Sequence, residues 1–398
     1  MEKSKPENLY RDEISLLANE EISEYIRLNL RKIISHREKF DIPVIGIAGT
    51  EGKTTTKRML MAILGGDKAV LETAPNCSTA WGVTSTLLKM NAGHRAAILE
   101  MGIANPQQFK LAVEVARPTI GVITNIGEAH LASQGDKYII ADAKLELVQG
   151  LDKDGVAVLN IDDDLVAGMA RFSPTPRVLK FGFNKNAHFF ASNIRYLGPD
   201  GIAFDVNDFY RLHLPIYGST AIYNALTAIA VARVLGISFE DIRLGLEKNF
   251  SLISHSGNLV RGQNFNLLDY SYDATINSVT RACESLTQFR PFSRKLVLVI
   301  GDISNPGPSP KETHQKLGYY IAAMPIDAVV TIGEYAREIA EGIRRLNHTH
   351  KELCCCQNQD ELFRSLQGYL GDGATLLVIG SKKQKLHELV GRLCPEVS

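Results

Sequence analysis

The sequence predicts an α/β fold with two parallel sheets, a small antiparallel appendage and a short helical N-terminal segment. From Pro43 onward, apolar runs typical of buried strands alternate with helical stretches, which is the pattern of a parallel sheet with right-handed crossovers. This alternation breaks over residues 178–215 and resumes near Leu259. The predicted parts are a helical segment (1–40), a central domain (41–250) and a C-terminal domain (257–398).

The composition is that of a soluble globular protein. Of 398 residues, 45% are hydrophobic and 22% are charged, and this length predicts two or three domains. Lys+Arg and Asp+Glu both total 44, which argues against a general electrostatic grip on nucleic acid or anionic membrane. No apolar run approaches the roughly 18 residues of a membrane span, and no signal peptide is visible. We therefore expect a cytoplasmic protein with neither nucleic acid nor membrane insertion.

The N-terminal segment has helical periodicity. Its apolar residues recur at near-helical spacing with charges between them, and they are Ile14, Leu17, Ile22, Ile26, Leu30 and Ile33. One or two amphipathic helices packed on the next domain are predicted. A membrane-surface helix is the weaker alternative because the charges are of mixed sign. These helices are also candidates for binding a partner chain or a second copy.

The elements of both sheets follow from apolar runs and turn signals. In the central domain we predict strands at 43–48, 96–100, 120–124 and 156–159, and helices at 54–64 and 221–235. The first helix ends at Gly65-Gly66. Short alternating segments with Gly, Pro and Asp turns predict the antiparallel appendage over 178–215. After a boundary at 250–258, a Rossmann-like α/β domain is predicted with strands at 266–269, 296–300, 327–332 and 375–380.

A glycine-rich turn between the first strand and its helix predicts a phosphate-binding loop. Gly49 and Gly52 let backbone N–H groups face inward, and the helix N-terminus adds positive partial charge. Lys53 is placed to reach the β- and γ-phosphates of a nucleotide, and the Thr54 hydroxyl to bind Mg²⁺. The match to the standard motif is not strict, because its first glycine would fall at Ile47. The turn still predicts binding of a nucleoside triphosphate.

Polar side chains end two further strands of the predicted sheet. Glu100 closes the strand at 96–100, and Asn125, Glu128 and His130 follow the strand at 120–124. Ligands of open α/β sheets bind at this carboxyl edge. Because oxygen ligands suit hard cations, strand-end groups beside a phosphate loop predict Mg²⁺ ligands.

Several motifs in order resemble the Mur ligase family, and within it the type that adds D-alanyl-D-alanine. The resemblance covers about residues 41–390. Its segments are Gly49-Thr50-Glu51-Gly52-Lys53-Thr54-Thr55, Asn76 with Gly82-Val83, Glu100-Met101-Gly102, Thr124 to Leu131, Leu214 to Gly218, Tyr223-Asn224-Ala225-Leu226-Thr227-Ala228, Asp269 to Ala274, and Gly301-Asp302 with His314.

The resemblance implies an ATP-dependent ligase. ATP phosphorylates a substrate carboxylate, an amine attacks the acyl phosphate, and phosphate leaves. It places Thr54 and Glu100 on one Mg²⁺, and Glu100 and His130 on a second. Lys144 matches the lysine that the family carbamylates, which converts a cation into an anion able to support a metal. A solvated helix lysine is the alternative for this position.

The resemblance also assigns the nucleotide contacts. The loop from Gly49 to Thr55 would hold the phosphates. Asn224 would contact adenine, and Asp269 would lie near the ribose or the γ-phosphate. The implied small-molecule partners are a carboxylate substrate and an amine substrate.

Departures from the family pattern concern both substrates. Only about 40 residues precede the phosphate-loop domain, where relatives that use UDP-linked substrates carry a whole domain. In the family, a Gly-Arg pair usually opens the C-terminal domain, and here Gly257-Asn258 replaces it. Further differences fall at Ser219-Thr220-Ala221, Ile303 to Gly307 and Ser381-Lys382. We therefore expect an acceptor that is not anchored through UDP, and an amine that can differ from D-alanyl-D-alanine.

Three alternatives remain at this stage. One is a UDP-N-acetylmuramoyl-tripeptide–D-alanyl-D-alanine ligase with a shortened N-terminus. Another is a catalytically degenerate nucleotide-binding scaffold, motivated by Asn258. A P-loop kinase or GTPase is weaker, since no guanine-recognition motif is present and the family resemblance assigns the helix at 221–235 to the adenine side.

Overall fold

A computed structural model describes residues 19–66, 69–75, 77–102, 105–127, 137–346, 350–371 and 373–395. These residues form two compact units. Within the described ranges, the first unit comprises 19–127, 137–190 and 224–245, and the second comprises 191–223 and 246–395. No helix in the described part of the chain is long and apolar enough to cross a membrane.

The first unit is built on a parallel sheet. Its strands are β1 (Val44–Ala48), β2 (Val70–Glu72), β3 (Ala96–Glu100), β4 (Ile120–Ile123), β5 (Val156–Asn160) and β6 (Val178–Gly182). They pair in the order β2-β3-β1-β4-β5-β6, and every pair is parallel. The four predicted strands are confirmed. The sequence analysis missed β2 because it has three residues. Its assignment of residues 178–182 to the antiparallel appendage is wrong, because these residues form β6, which pairs in parallel with β5.

Helices cover this sheet. They are α1 (Asn19–Arg37), α2 (Lys53–Ile63), α3 (Ala80–Leu87), α4 (Pro106–Ala116), α5 (Lys137–Gln149), α6 (Asp164–Gly168), α7 (Ser219–Val234, which enters this unit at residue 224) and α8 (Phe239–Leu244). Helix α1 confirms a packed N-terminal helix, because Ile26 and Ile33 are buried in the same core as α3 and α4. Tyr25 stacks edge-on against Trp81 of α3. The predicted apolar positions Ile14 and Leu17 lie outside the described residues.

The second unit contains the antiparallel ribbon and a second sheet. Strands β7 (Phe189–Tyr196), β8 (Ile202–Val206) and β9 (Tyr210–Leu214) pair in antiparallel fashion, which confirms the predicted appendage over residues 189–214. The later strands are β10 (Asn258–Arg261), β11 (Phe265–Tyr270), β12 (Lys295–Gly301), β13 (Ala328–Ile332), β14 (Glu352–Cys356) and β15 (Ala374–Ile379).

These later strands pair in the order β10-β11-β15-β12-β13-β14, and β10 alone among them is antiparallel to its neighbour. The helices are α9 (Ile276–Thr287), α10 (Pro310–Ala322), α11 (Arg337–Arg345), α12 (Gln359–Leu366) and α13 (Leu386–Leu393). All four strands predicted here are confirmed. Insertion of β15 between β11 and β12 brings the carboxyl ends of these three strands together.

Candidate active site

The loop between β1 and α2 has the backbone geometry of a phosphate cradle. Gly49 has φ +150° and Gly52 has φ +82°, both in the region that favours glycine. A Cβ at Gly49 would lie 1.8 Å from Thr124 Oγ1, so no side chain fits there. Gly52 precedes the first turn of α2 without a capping side chain, and the N–H groups of that turn therefore face the loop. This is the arrangement in which a helix start binds anions.

The residues that follow β4 hold the loop in place. Thr124 Oγ1 donates to the Glu51 carbonyl at 2.6 Å, and Asn125 Nδ2 donates to the same oxygen at 3.1 Å. The Glu51 N–H donates to Asn125 Oδ1 at 3.0 Å, and the Thr50 N–H donates to the Asn125 carbonyl at 2.9 Å. The Asn125 side chain, counted in the sequence among the polar groups at strand ends, therefore supports the loop backbone.

Gly46, the glycine nearest to the first motif position, belongs to the sheet. It lies within β1, where a Cβ would lie 2.9 Å from Met101 Sδ and 3.0 Å from Leu147 Cδ1. The departure from the standard motif is explained by this packing, since Gly46 makes room for two core side chains and does not take part in the loop.

Lys53, the first residue of α2, folds back over the loop. Its Nζ donates to the Gly49 carbonyl at 2.8 Å and to the Thr50 carbonyl at 3.0 Å. Burial lowers the pKa of Lys53, and the nearby Glu100 carboxylate partly opposes this effect. The two hydrogen bonds hold the Lys53 side chain at the loop backbone, where phosphate charge would have to be neutralised.

Thr54 and Glu100 meet beside the loop. Thr54 Oγ1 donates to Glu100 Oε2 at 2.8 Å, and the Glu100 side chain is buried. The Glu100 N–H donates to Thr73 Oγ1 at 2.9 Å, which holds the end of β3. The structure thus brings together the two residues that the sequence predicts for one Mg²⁺. Thr55, next on α2, is partly exposed.

Lys57 belongs to the same cluster and was missed in the sequence analysis. Its Nζ lies 2.9 Å from Glu100 Oε1 and 2.8 Å from Glu72 Oε2, and donates to the Thr73 carbonyl at 2.5 Å. Only 2% of Lys57 is exposed. A signal was available, because Lys57 lies four residues after Lys53 and therefore on the same face of the predicted helix.

Lys144 reaches the loop from α5. Its Nζ donates to Thr50 Oγ1 at 3.1 Å, and the side chain is buried. Burial lowers the pKa of Lys144 to about 7; repulsion from Lys53 adds to this effect, and Asp163 opposes it. Asp163 is itself bound to the Ile126 N–H at 2.7 Å. A solvated helix lysine, the alternative for this position, does not describe this side chain.

The remaining predicted residues lie in different places. A Cβ at Gly52 would lie 2.2 Å from Asn224 Oδ1, so Asn224 borders the phosphate loop. Asp269, in the second unit, is buried, and its carboxylate accepts from Ser271 Oγ at 2.6 Å and lies 2.7 Å from His255 Nδ1. His130, Glu128 and Asn76 lie outside the described residues.

Two motif residues of the second unit support loops. Asp302 accepts the backbone N–H groups of Glu334, Tyr335 and Ala336 at 3.0, 2.8 and 2.7 Å. The fully buried His314 accepts the N–H of Ile303 through Nε2 at 3.1 Å. These contacts account for Asp302 and His314 without a ligand.

The glycine at the helix start can be tested directly. We expect Gly52→Ala to weaken nucleotide binding and to destabilise the protein by about 1–3 kcal/mol, because a Cβ there needs a left-handed backbone and displaces Asn224. Thermal unfolding and nucleotide titration measure the two effects. Gly168→Ala is the matched control, since Gly168 has φ −64° and no atom within 4 Å of an added Cβ. Equal behaviour of the two variants would contradict the assignment.

Comparison with known proteins agrees with this geometry. The Mur ligase middle domain matches residues 47–232, and the Mur ligase glutamate ligase domain matches residues 258–382. The UDP-N-acetylmuramoyl-tripeptide–D-alanyl-D-alanine ligase of Bacillus subtilis is 30% identical over 353 residues, which are 87% of this chain and 75% of that protein. The chain belongs to the Mur ligase family.

A second relative and a solved structure belong to the same type of Mur ligase, the D-alanyl-D-alanine-adding type called MurF. The enzyme of that name from Buchnera aphidicola (subsp. Baizongia pistaciae) is 29% identical over 366 residues, covering 90% of this chain and 77% of that protein. A crystal structure of MurF from Acinetobacter baumannii aligns with a TM-score of 0.80 and 28% identity, covering 92% of this chain and 79% of that one. Mur ligases are ATP-dependent, amide-forming ligases, and this chain is one of them.

Proposed function

We propose that this Mur ligase activates a substrate carboxylate with ATP and joins it to the amine of an amino acid or peptide through the site around Lys53. The acceptor that carries the carboxylate is not anchored through UDP. A carboxylate oxygen attacks the γ-phosphorus, and the bond to ADP breaks. The amine nitrogen then attacks the acyl carbon and loses a proton, and inorganic phosphate leaves. The observation that carries the proposal is the convergence of Lys53, the Thr54–Glu100 pair and Lys144 on one glycine loop.

Within this proposal, the chain's own residues position and neutralise phosphate groups. The N–H groups of Thr50 and Glu51 are bonded to Asn125, so the backbone N–H groups from Gly52 to Thr55 at the start of α2 bind the phosphates. Lys53 neutralises charge on the transferred phosphoryl group, so that catalysis rests on placement and electrostatics. Asn224, beside Gly52, supports a role on the adenine side. A nucleotide contact by Asp269 stays a prediction, because its carboxylate already accepts a hydrogen bond from Ser271 and contacts the His255 ring nitrogen Nδ1.

The donor set beside the loop fits Mg²⁺. Thr54 and Glu100 supply hydroxyl and carboxylate oxygens, which hard cations prefer, and we propose that they hold one ion. Bound Mg²⁺ would neutralise charge on the phosphoryl group. We propose that Glu100 and His130 hold a second ion, and that Lys144 supports the metal as a carbamate. A lysine pKa near 7 favours this, because the neutral amine is the form that reacts with CO₂.

The names of the relatives indicate which substrates to test first. The Bacillus subtilis and Buchnera aphidicola enzymes are named for UDP-N-acetylmuramoyl-tripeptide and D-alanyl-D-alanine. That pair is our second candidate, beside an acceptor that is not anchored through UDP.

We propose a cytoplasmic enzyme, since ATP is the phosphoryl donor. We also propose that 41–250 and 257–398 are its two catalytic domains, with the matched ranges 47–232 and 258–382 as support.

The deciding experiment is phosphate release from ATP and Mg²⁺ across a panel of carboxylates and amines, with product masses recorded. The panel includes the UDP-linked tripeptide, the same peptide without UDP, D-alanyl-D-alanine and single amino acids. Release that requires both a carboxylate and an amine is expected. Activity restricted to the UDP-linked tripeptide would select the second candidate. Nucleotide binding without release for any pair would contradict the proposal and favour a nucleotide-binding scaffold.

A further inference from the structure

Lys57 is a buried cation between two carboxylates, and the mechanism above does not use it. Its Nζ donates to the Thr73 carbonyl at 2.5 Å and forms ion pairs with Glu72 Oε2 at 2.8 Å and with Glu100 Oε1 at 2.9 Å. Buried charges persist when they are paired in this way. The position of Lys57 is therefore fixed from three sides.

The two oxygens of Glu100 are consequently not equivalent. Oε1 lies 2.9 Å from Lys57 Nζ in an ion pair and accepts no hydrogen bond from the described residues, whereas Oε2 accepts a hydrogen bond from Thr54 Oγ1 at 2.8 Å on the side of the phosphate loop. The backbone of Glu100 is also held, through Thr73 Oγ1. Rotation of the carboxylate to present both oxygens to the loop would break the pair with Lys57 and leave a buried ammonium short of an acceptor.

Divalent cations differ in how they use a carboxylate. Mg²⁺ requires near-octahedral coordination at about 2.0–2.1 Å, whereas Ca²⁺ takes 6–8 oxygens at about 2.3–2.6 Å and accepts carboxylates in bidentate fashion. We propose that Lys57 is a positioning residue that restricts Glu100 to one oxygen, Oε2, toward the ion held with Thr54, and thereby selects Mg²⁺ over Ca²⁺ at that position. This inference rests on the proposed function, because it takes the Thr54–Glu100 pair as the metal site.

The test measures metal preference rather than turnover. Mn²⁺ bound together with a non-hydrolysable ATP analogue is detected by electron paramagnetic resonance, and is then displaced with Mg²⁺ or with Ca²⁺. The ratio of the two displacement constants is compared between variants, so that metal binding to the free nucleotide cancels. Absence of nucleotide-dependent Mn²⁺ binding by the wild type would overturn the proposed metal site itself, and with it this inference.

The main variant is Lys57→Met combined with Glu72→Gln. It removes one positive and one negative charge, so the cluster keeps its net charge and Glu100 loses only its restraint. Outer-shell partners of metal ligands typically change affinity by about 10–100-fold, and we expect the preference for Mg²⁺ to fall about tenfold or more. Glu72→Gln alone should keep the wild-type ratio, and Lys57→Arg, which keeps a cation, should lie closer to wild type than the double variant. A folded double variant with the wild-type ratio would overturn the inference. An equal shift in Glu72→Gln alone would overturn it as well, since charge and not restraint would then set the preference.

Discussion

Lys53→Ala is expected to lower ATP-dependent product formation by about a thousandfold or more while the protein stays folded. Removal of one preorganised charge contact to a reacting phosphoryl group has effects of this order. The Lys53 ammonium lies 2.8 Å from the Gly49 carbonyl and 3.0 Å from the Thr50 carbonyl, at the floor of the phosphate loop. The chemical step should suffer more than nucleotide binding, because backbone N–H groups still hold the phosphates. Single-turnover kinetics and nucleotide titration separate the two.

A second lysine controls for a general loss of charge. Lys110 on α4 is two-thirds exposed and pairs with Glu146 at 3.2 Å, away from the loop residues. Lys110→Ala should keep turnover within about twofold, since exposed ion pairs contribute little. Turnover by Lys53→Ala within about tenfold of the wild type, with an unchanged melting temperature, would contradict the assignment of the active site.

Lys144→Met is expected to lower activity by about a hundredfold and to change how stability depends on pH. The activity loss follows if the carbamate of Lys144 supports the metal. The wild type should also lose activity when bicarbonate and CO₂ are removed, whereas the variant should not respond. Incorporation of ¹³C-labelled bicarbonate, followed by NMR, detects the carbamate directly. If wild-type activity does not depend on CO₂ and no labelled carbamate is detected, Lys144 does not act as a carbamate.

The direction of the pH effect follows from the lowered pKa. In the folded protein the pKa of Lys144 is about 7, against an ordinary value of 10.5, so between these values the unfolded chain binds one more proton. Stability of the wild type relative to Lys144→Met should therefore rise with pH from about 7 upward, by at most about 1.4 kcal/mol per pH unit. Below pH 7 the lysine is protonated in both states and the difference levels off. Melting curves from pH 6 to 9 in CO₂-free buffer measure this, and a flat difference would show that the Lys144 amine is not desolvated.

The sequence predicted the elements that repeat a strong pattern and missed those that depend on distant contacts. The strand at 96–100 and its terminal Glu100 follow from an apolar run that ends in a carboxylate. Strand β2 has no such run, yet it contributes Glu72 to the pair with Lys57. The contact between Lys144 and Thr50 joins residues 94 positions apart. No local periodicity specifies such a contact, and the expectation for Lys144 came from family resemblance alone.

Two motif residues in the second unit show that a match to a family motif does not establish a ligand contact. Asp302 and His314 were matched as parts of a family pattern, but their hydrogen bonds run to backbone groups of neighbouring loops. A residue type in a motif therefore does not tell a ligand contact from a loop support, because both use the same polar atoms. The hydrogen-bond partners in the folded protein distinguish the two roles.

The hydrogen bonds from Thr124 and Asn125 to Glu51 have a consequence for how nucleotide binds. These bonds hold the loop to the residues that follow the neighbouring strand β4, so the loop conformation does not depend on bound phosphates. Ordering a flexible loop on association costs conformational entropy, and a preorganised loop avoids most of that loss. We therefore expect nucleotide to bind to a preorganised loop, with little slow rearrangement of these residues after binding. Thr124→Val, which removes one tether, should thus lower affinity through a larger entropic penalty while every phosphate-contacting group stays in place.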